Sequence, residues 1–315
     1  MRSLDCIVCG EICLDLVVQP VTRDEPLNQF VLQRVEPIRP VTGGIVPNAG
    51  IALSRLGMRA AALGYVGDDE WGSLIRNQLE SEGLDIAHVL THASASTSVT
   101  AVLVDATGEH TFAFHAGASQ YMDRPTCLDR LDLFAQSRFA LFGYYSLFPR
   151  LEEDLPDVLA AIRQTGCRTA LDAAGDGGAL QPLDRVLPHL DLYVPSLAEA
   201  TAQTGETDPE KILRAYRDCG TDAILGVKLG ARGVMLNPAG NELIPVAPIS
   251  PPGAIVDTTG AGDSFYAGLI TGLIRGMDPA DAARLGAAAG ACCVTGMGAS
   301  TGIRDFEQTL ALAGE

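Results

Sequence analysis

The sequence predicts an α/β protein, with a mostly parallel sheet flanked by helices and a small β flap set apart from it. Three observations predict this. From Asp132 onward, short apolar runs alternate with helical periods, the order that builds parallel sheets. Residues 16–42 and 98–115 carry β patterns with no helical period. The string Asp257-Thr258-Thr259-Gly260-Ala261-Gly262-Asp263-Ser264-Phe265 sets a Gly-Ala-Gly turn between two acids, at the start of an apolar helix.

Asp5 to Gly10 is an apolar run closed by glycine, as a buried strand would be. Asp15 follows just past its end, where ligands gather in open α/β sheets. It is a substrate contact or a solvated loop acid. Residues 16–42 are rich in Val and Pro, and within them Gln29 to Val35 reads as an exposed flap strand. In Gly43-Gly44-Ile45-Val46-Pro47-Asn48, the glycines allow a close backbone approach and Pro47 suits a first helical turn. Ile51, Ala52, Leu53 and Leu56 form that helix's apolar face, ended by Gly57. Asn48 either bonds a ligand hydroxyl or caps the helix. The acids Asp68 and Asp69 cap the next one. Val99, Ala101 and Leu103 alternate up to a turn at residues 106–109, and Thr111 to Phe114 return as a hairpin. His115 at its end is a strand or rim residue.

Phe139 to Tyr145, Arg168 to Asp172 and Leu190 to Pro195 are strands, and Leu155 to Gly166 is a helix. Ala223 to Gly230 is a strand that leads into Ala231-Arg232-Gly233. Phe265, Leu269, Ile270, Leu273 and Ile274 recur at helical spacing before Gly276. An Ala/Gly-rich helix follows from Asp278 to Thr295.

With 315 residues, 47% of them hydrophobic, the chain can bury a large core in one or two domains. A formal net charge of −17 argues against general binding to nucleic acid or an anionic membrane. No apolar run is long enough to span a membrane, and the amino terminus reads as a strand, not a signal peptide. The eight cysteines show neither zinc-ribbon spacing nor a paired framework, so they read as reduced thiols of a cytoplasmic protein.

The chemistry concentrates in the nine-residue string. Gly260 to Gly262 fall at a helix start, a ready anion site. Asp263 would repel a resident phosphate there. Its presence makes sense if it takes a proton while the amides steady charge on a moving phosphoryl group. The plainer reading is a helix cap. The absence of Gly-x-x-x-x-Gly-Lys-[Ser/Thr] excludes P-loop chemistry. The first strand lacks Gly-x-Gly-x-x-Gly, which argues against a dehydrogenase.

The string resembles the signature of the PfkB (ribokinase-like) family of carbohydrate and nucleoside kinases. Gly43-Gly44 with Asn48, the hairpin, Glu199, the glycine turn and the terminal string occur in the family's order along essentially the whole chain. The resemblance implies a three-layer α/β/α ribokinase-like fold with a mostly parallel central sheet. Its core would be residues 1–13, 43–96 and 120–315, and its β lid residues 14–42 and 97–119. It implies ATP-dependent phosphorylation of a hydroxymethyl group on a monosaccharide. The alternatives are an adenosine-like nucleoside acceptor, or a non-catalytic sugar or nucleotide sensor, against which the intact Asp263 weighs.

By the same resemblance, Asp263 accepts the proton and the backbone of Gly260, Ala261 and Gly262 stabilises the transferred charge. Asp15, Gly43, Gly44 and Asn48 hold the substrate. ATP meets Ser196, Glu199, Lys228, Gly230, Gly233 and Gly286, with Glu199 reaching Mg2+ through water. Ser196 stands where the family carries Asn. Read from the residues alone, Glu199 is a helix-start acid and Lys228 a solvated strand end. Asp257, Thr259, Cys293 and Gly298 surround a monovalent cation, K+. The partner is a small sugar or nucleoside, and a homodimer through the lid edges is expected. Ribokinases proper carry Lys-Gly after the paired glycines. Ile45-Val46 here, with Ser119 in place of an Asn, argue against ribose and for a less polar or larger acceptor.

Overall fold

The strand β1 (Leu4–Gly10) lies inside the main sheet, and its side chains explain the layering. Successive residues of a strand point to opposite faces. Cys6 and Val8 join one core with Ala60, Ala62, Phe139 and Leu141. Ile7 and Cys9 join a second with Ala61, Leu63, Ala140 and Phe142. A strand buried on both faces shows no polar alternation, which is why this run reads as continuously apolar. The helices Ile45–Arg55, Ala261–Ile274 and Pro279–Cys293 cover the first core. Leu155–Gln164 and Pro209–Asp218 cover the second. The result is a three-layer α/β/α arrangement. This is a computed structural model, and it describes residues 2–22, 32–107, 109–173, 180–238 and 242–314.

The remaining strands among these residues are β2 (Cys13–Val21), β3 (Arg39–Gly43), β4 (Ala60–Gly67), β5 (Asp85–His92), β6 (Ser98–Asp105) and β7 (His110–His115). They continue with β8 (Ser137–Gly143), β9 (Arg168–Asp172), β10 (Leu192–Tyr193), β11 (Ile224–Lys228), β12 (Val234–Asn237) and β13 (Ile244–Val246). The main sheet has the order β13-β12-β11-β10-β9-β8-β1-β4-β5. From β11 to β5 all neighbours are parallel, while β12 and β13 are antiparallel additions at one edge. Parallel strands end on the same side, so β1, β8, β9 and β11 deliver their last residues to one edge of the molecule.

The second sheet has the order β3-β2-β6-β7, with β2 and β6 parallel at its centre. The flap expected from residues 16–42 therefore exists, but its strands are β2 and β3. Of the expected Gln29–Val35 strand, residues 29–31 lie outside the described residues, and Leu32 to Val35 form no strand. Leu32 is 83% exposed, so no neighbouring strand covers it. The expected Leu190–Pro195 strand contracts to Leu192–Tyr193; beyond it the Val194 N–H turns to the Tyr266 hydroxyl and Pro195 has no N–H to donate. β5 escapes the sequence reading because it is a half-exposed edge strand carrying His88, His92 and Thr91. Among the described residues no helix is long and apolar enough to cross a membrane. All eight cysteines are free thiols.

Tyr266 fastens the helix Ala261–Ile274 to the sheet. Its hydroxyl donates to the Leu171 carbonyl at 2.5 Å and accepts from the Val194 N–H at 2.7 Å. Tyr266→Phe would strand both groups in a dry site and should lower stability by about 2–3 kcal/mol. Chemical denaturation reads this directly; an unchanged transition would show that the bridge contributes nothing.

Candidate active site

Asp263 sits in the first turn of the helix Ala261–Ile274 and is only 4% exposed. The turn before it needs glycine at Gly260. Its φ is 76°, and a Cβ there would fall 2.2 Å from the Ala299 Cβ. Asp263 does not cap its helix: the cap residue is Gly260 and no side chain bonds it. The carboxylate instead accepts from Asn48 Nδ2 at 2.8 Å on Oδ2, and from the Tyr144 hydroxyl at 2.9 Å on each oxygen. Asn48 caps nothing either, since Gly44 holds that place without a side-chain bond. A carboxylate only accepts, so the Asn48 amide nitrogen faces it. The Asn48 Oδ1 is then left buried and unpartnered. Burial pushes the Asp263 pKa up; the bonds from Asn48 and Tyr144 and the Lys228 charge oppose this, and the net shift is upward.

Lys228, at the end of β11, is turned inward, not solvated. Its Nζ lies 3.1 Å from Asp172 Oδ1, with 14% and 3% of the two side chains exposed. A Cβ on Gly262 would lie 3.1 Å from that Nζ, so the ammonium lies directly against the Gly-Ala-Gly turn. Burial works against the Lys228 charge, but Asp172, Glu199 and Asp263 outweigh it and raise its pKa above the ordinary lysine value. The site therefore holds a lysine cation at a helix's positive end. Glu199 and Ser196 form a reciprocal capping box. The Ser196 N–H donates to Glu199 Oε2 at 2.6 Å, and the Glu199 N–H donates to Ser196 Oγ at 3.3 Å. Glu199 is thus a helix-start acid, and its charge favours the charged form of Lys228.

Asp15 lies on β2 of the small sheet, paired with Val41 of β3, and its carboxyl reaches diagonally to Gly43. A Cβ at Gly43 would fall 2.2 Å from Asp15 Oδ2, so the glycine makes room for this carboxylate. Burial and the nearby Asp257 raise the Asp15 pKa, while Thr100 and Cys13 oppose them. Asp15, Val41, Val102, Asp257, Thr258 and Met297 are among the walls of a cavity of about 450 Å³ between the small sheet and the signature turn. The four residues expected around a cation also meet. Asp257 accepts from the Thr259 N–H and the Gly298 N–H, each at 2.9 Å. The Cys293 thiol donates to the carbonyls of Thr259 at 3.4 Å and Ala299 at 3.2 Å. Two carbonyls thus converge on the Cys293 thiol; carbonyl oxygen is also the donor type a monovalent cation would use.

Other expected residues fall elsewhere. Gly286 is buried against the signature helix, where a Cβ would come 2.7 Å from the Phe265 carbonyl. Its small size serves helix packing against Phe265. Gly230 and Gly233 shape a turn after β11, with φ of 60° and 86°. The Ala261 N–H reaches the Thr258 carbonyl at 3.3 Å and is the least open of the three expected amides. Asp69 alone of the paired acids caps the next helix, accepting from the Gly72 N–H at 2.8 Å.

Three residues near this cluster were not singled out as site candidates from the sequence: Tyr144, Asp172 and Glu11. Each closes or follows a parallel strand, so the strand-end rule that singled out Asp15 would have found them. Glu11 is buried, and burial lifts its carboxyl to about 7 against the pull of Ser98 and Ser119.

Comparison with known proteins identifies the family and the fold. The model of the pfkB family of carbohydrate kinases matches residues 4–305. The chain is 29% identical over 276 residues to a ribokinase of Haemophilus influenzae, covering 85% of this chain and 86% of that one. It is 29% identical over 277 residues to an aminoimidazole riboside kinase of Salmonella typhimurium, covering 83% and 84%. Its fold superposes on an Arabidopsis thaliana ribokinase complexed with ribose and ATP with a TM-score of 0.86, at 22% identity over 99% of each chain. With a nearly full-length match laid over a buried aspartate at a Gly-Ala-Gly helix start, the chain belongs to the pfkB family of carbohydrate kinases.

Proposed function

We propose that the protein transfers the γ-phosphoryl group of ATP to a hydroxymethyl group of an uncharged monosaccharide. The observation that carries this reading is the buried Asp263 carboxylate at the amino end of a helix, beside the Lys228 ammonium. Asp263 accepts the proton of the attacking hydroxyl as the new O–P bond forms and the bond to ADP breaks. The amides of Gly260 and Gly262, with Lys228, face the charge that develops on the transferred group. Asn48 Oδ1 and Asp15 take the acceptor's remaining hydroxyls. ATP would supply the phosphoryl group, and magnesium, held by Glu199 through water, would screen its charge. Ser196 and Lys228 lie by the nucleotide. The small sheet acts as a lid whose closure keeps water from the donor. Eight unpaired thiols support a cytoplasmic setting.

A nucleoside acceptor is the second reading. The lid face of the cavity presents Val17, Val41, Val102 and Val104, and Met297 lies on another of its walls. Those side chains suit an apolar ring better than free hydroxyls. A match to a riboside kinase supports the same choice.

ATP consumption across a panel of sugars and nucleosides tests both readings. Asp263→Asn should lose about 10²–10⁴-fold in turnover while still binding ATP; near-normal turnover would refute the base assignment. Replacing potassium with tetramethylammonium should lower turnover if the carbonyls of Thr259 and Ala299 hold a cation, and equal rates in both salts would remove that site. We also propose that two copies pair through β7, the outer strand of the lid, where Phe112 is 59% and Phe114 42% exposed. Sedimentation should show a dimer that Phe112→Asp dissociates, and a monomeric wild type would overturn the pairing.

A further inference from the structure

Among the described residues, Tyr144 is the one non-glycine with a positive φ, at 65°. A bulky side chain rarely adopts this conformation. The strand alternation shows what the turn does. In β8, Phe139 and Leu141 face the first core, and Ala140 and Phe142 the second. Continued extension would send Tyr144 to the second core and Tyr145 to the first. The opposite is found: Tyr144 packs on the first core and Tyr145 lies in the second. The left-handed residue swaps them. It carries the Tyr144 hydroxyl to the face where the signature helix lies. The turn is held on both sides, since the Tyr144 N–H donates to the Asp172 carbonyl at 3.0 Å and the Leu147 N–H to the Tyr144 carbonyl at 2.9 Å.

We propose that Tyr144 is a positioning residue that holds the Asp263 carboxylate ionised and presents its Oδ1 to the substrate hydroxyl. The proposal rests on the reading of Asp263 as the base. The hydroxyl lies 2.9 Å from both carboxylate oxygens, which fixes the rotation of the group. Oδ2 also receives Asn48, at 2.8 Å. Oδ1 therefore has one fewer donor and more room to accept a proton. A donor to the ionised form also favours that form, so Tyr144 counters the cost of burying Asp263. The phenol does not compete as a base: burial and the adjacent Asp263 charge raise its pKa well above the ordinary value. The other titratable groups facing this carboxyl are Lys228, Asp172, Glu199 and Cys293, and Cys13 on the lid strand faces Tyr144. None of them donates a hydrogen bond to Asp263 among those the structure shows.

The test is the pH dependence of kcat/KM for the wild type and Tyr144→Phe, with the best acceptor of the panel. The ring and its packing are kept and the donor is removed. The Asp263 pKa, already raised by burial, should rise further. The acidic limb should then move up by roughly one pH unit, the scale of one hydrogen bond to a charged group. On that limb the rate should fall about tenfold, and it should recover at alkaline pH. An unmoved limb, or an equal loss at every pH, would overturn the proposal. Titration of the ¹³C-labelled Asp263 carboxyl, in wild type and Tyr144→Phe, reads the same shift without turnover. An unmoved carboxyl together with an inactive Asp263→Asn sinks this proposal alone. Near-normal turnover of Asp263→Asn sinks the base reading, and this proposal with it.

Discussion

A carboxylate buried at the positive end of a helix is the constraint on which the rest of the site depends. Burial alone pushes Asp263 toward its protonated form. The fold answers with donors from two other elements: Asn48 from the helix after the paired glycines, and Tyr144 from just beyond β8. It adds a cation from a third, Lys228 at the end of β11. These elements are far apart in sequence. Only a parallel sheet, with its strand ends gathered on one side, brings them together. The layered core is thus what places the chemistry, not merely what supports it.

Lys228 is itself held by a second buried acid. Asp172 balances the ammonium at 3.1 Å, and without it the lysine would face both burial and the helix's positive end. Burial raises the Asp172 pKa to about 8 against the pull of Lys228, and the acids around Lys228 favour its charged form, so the pair fixes the lysine's position beside the turn. Such preorganisation suits phosphoryl transfer, where positioning and electrostatics account for most of the acceleration.

Much of this was legible in the residues, and the limits of what was legible have physical causes. The alternation after Asp132 and the Asp257–Phe265 string led to the layers and to the helix bearing Asp263. The paired glycines led to Asn48, because small residues before a helix announce a close approach. Tyr144 was hidden because an aromatic after an apolar run reads as more strand; nothing local announces a left-handed turn at a tyrosine. Asp172 was seen as a strand end, but its partner Lys228 is 56 residues away and their pairing is a tertiary fact. Gly286 shows the opposite limit. A small residue on a helix signals close approach without saying to what, and here it is Phe265.

The order in which the sheet is filled has a consequence for the newly made chain. β1 is interior, yet it is synthesised first, and its neighbours β4 and β8 lie on opposite sides of it. Once residue 67 has emerged, β1 can pair with β4. Its other edge stays open until residues 137–143 arrive, through the making of the whole lid hairpin. That edge belongs to a strand apolar on both faces, the kind most prone to join another chain. The nascent protein therefore passes through a stretch of synthesis in which a strand buried on both faces is half-dressed, and the arrival of β8 ends that exposure.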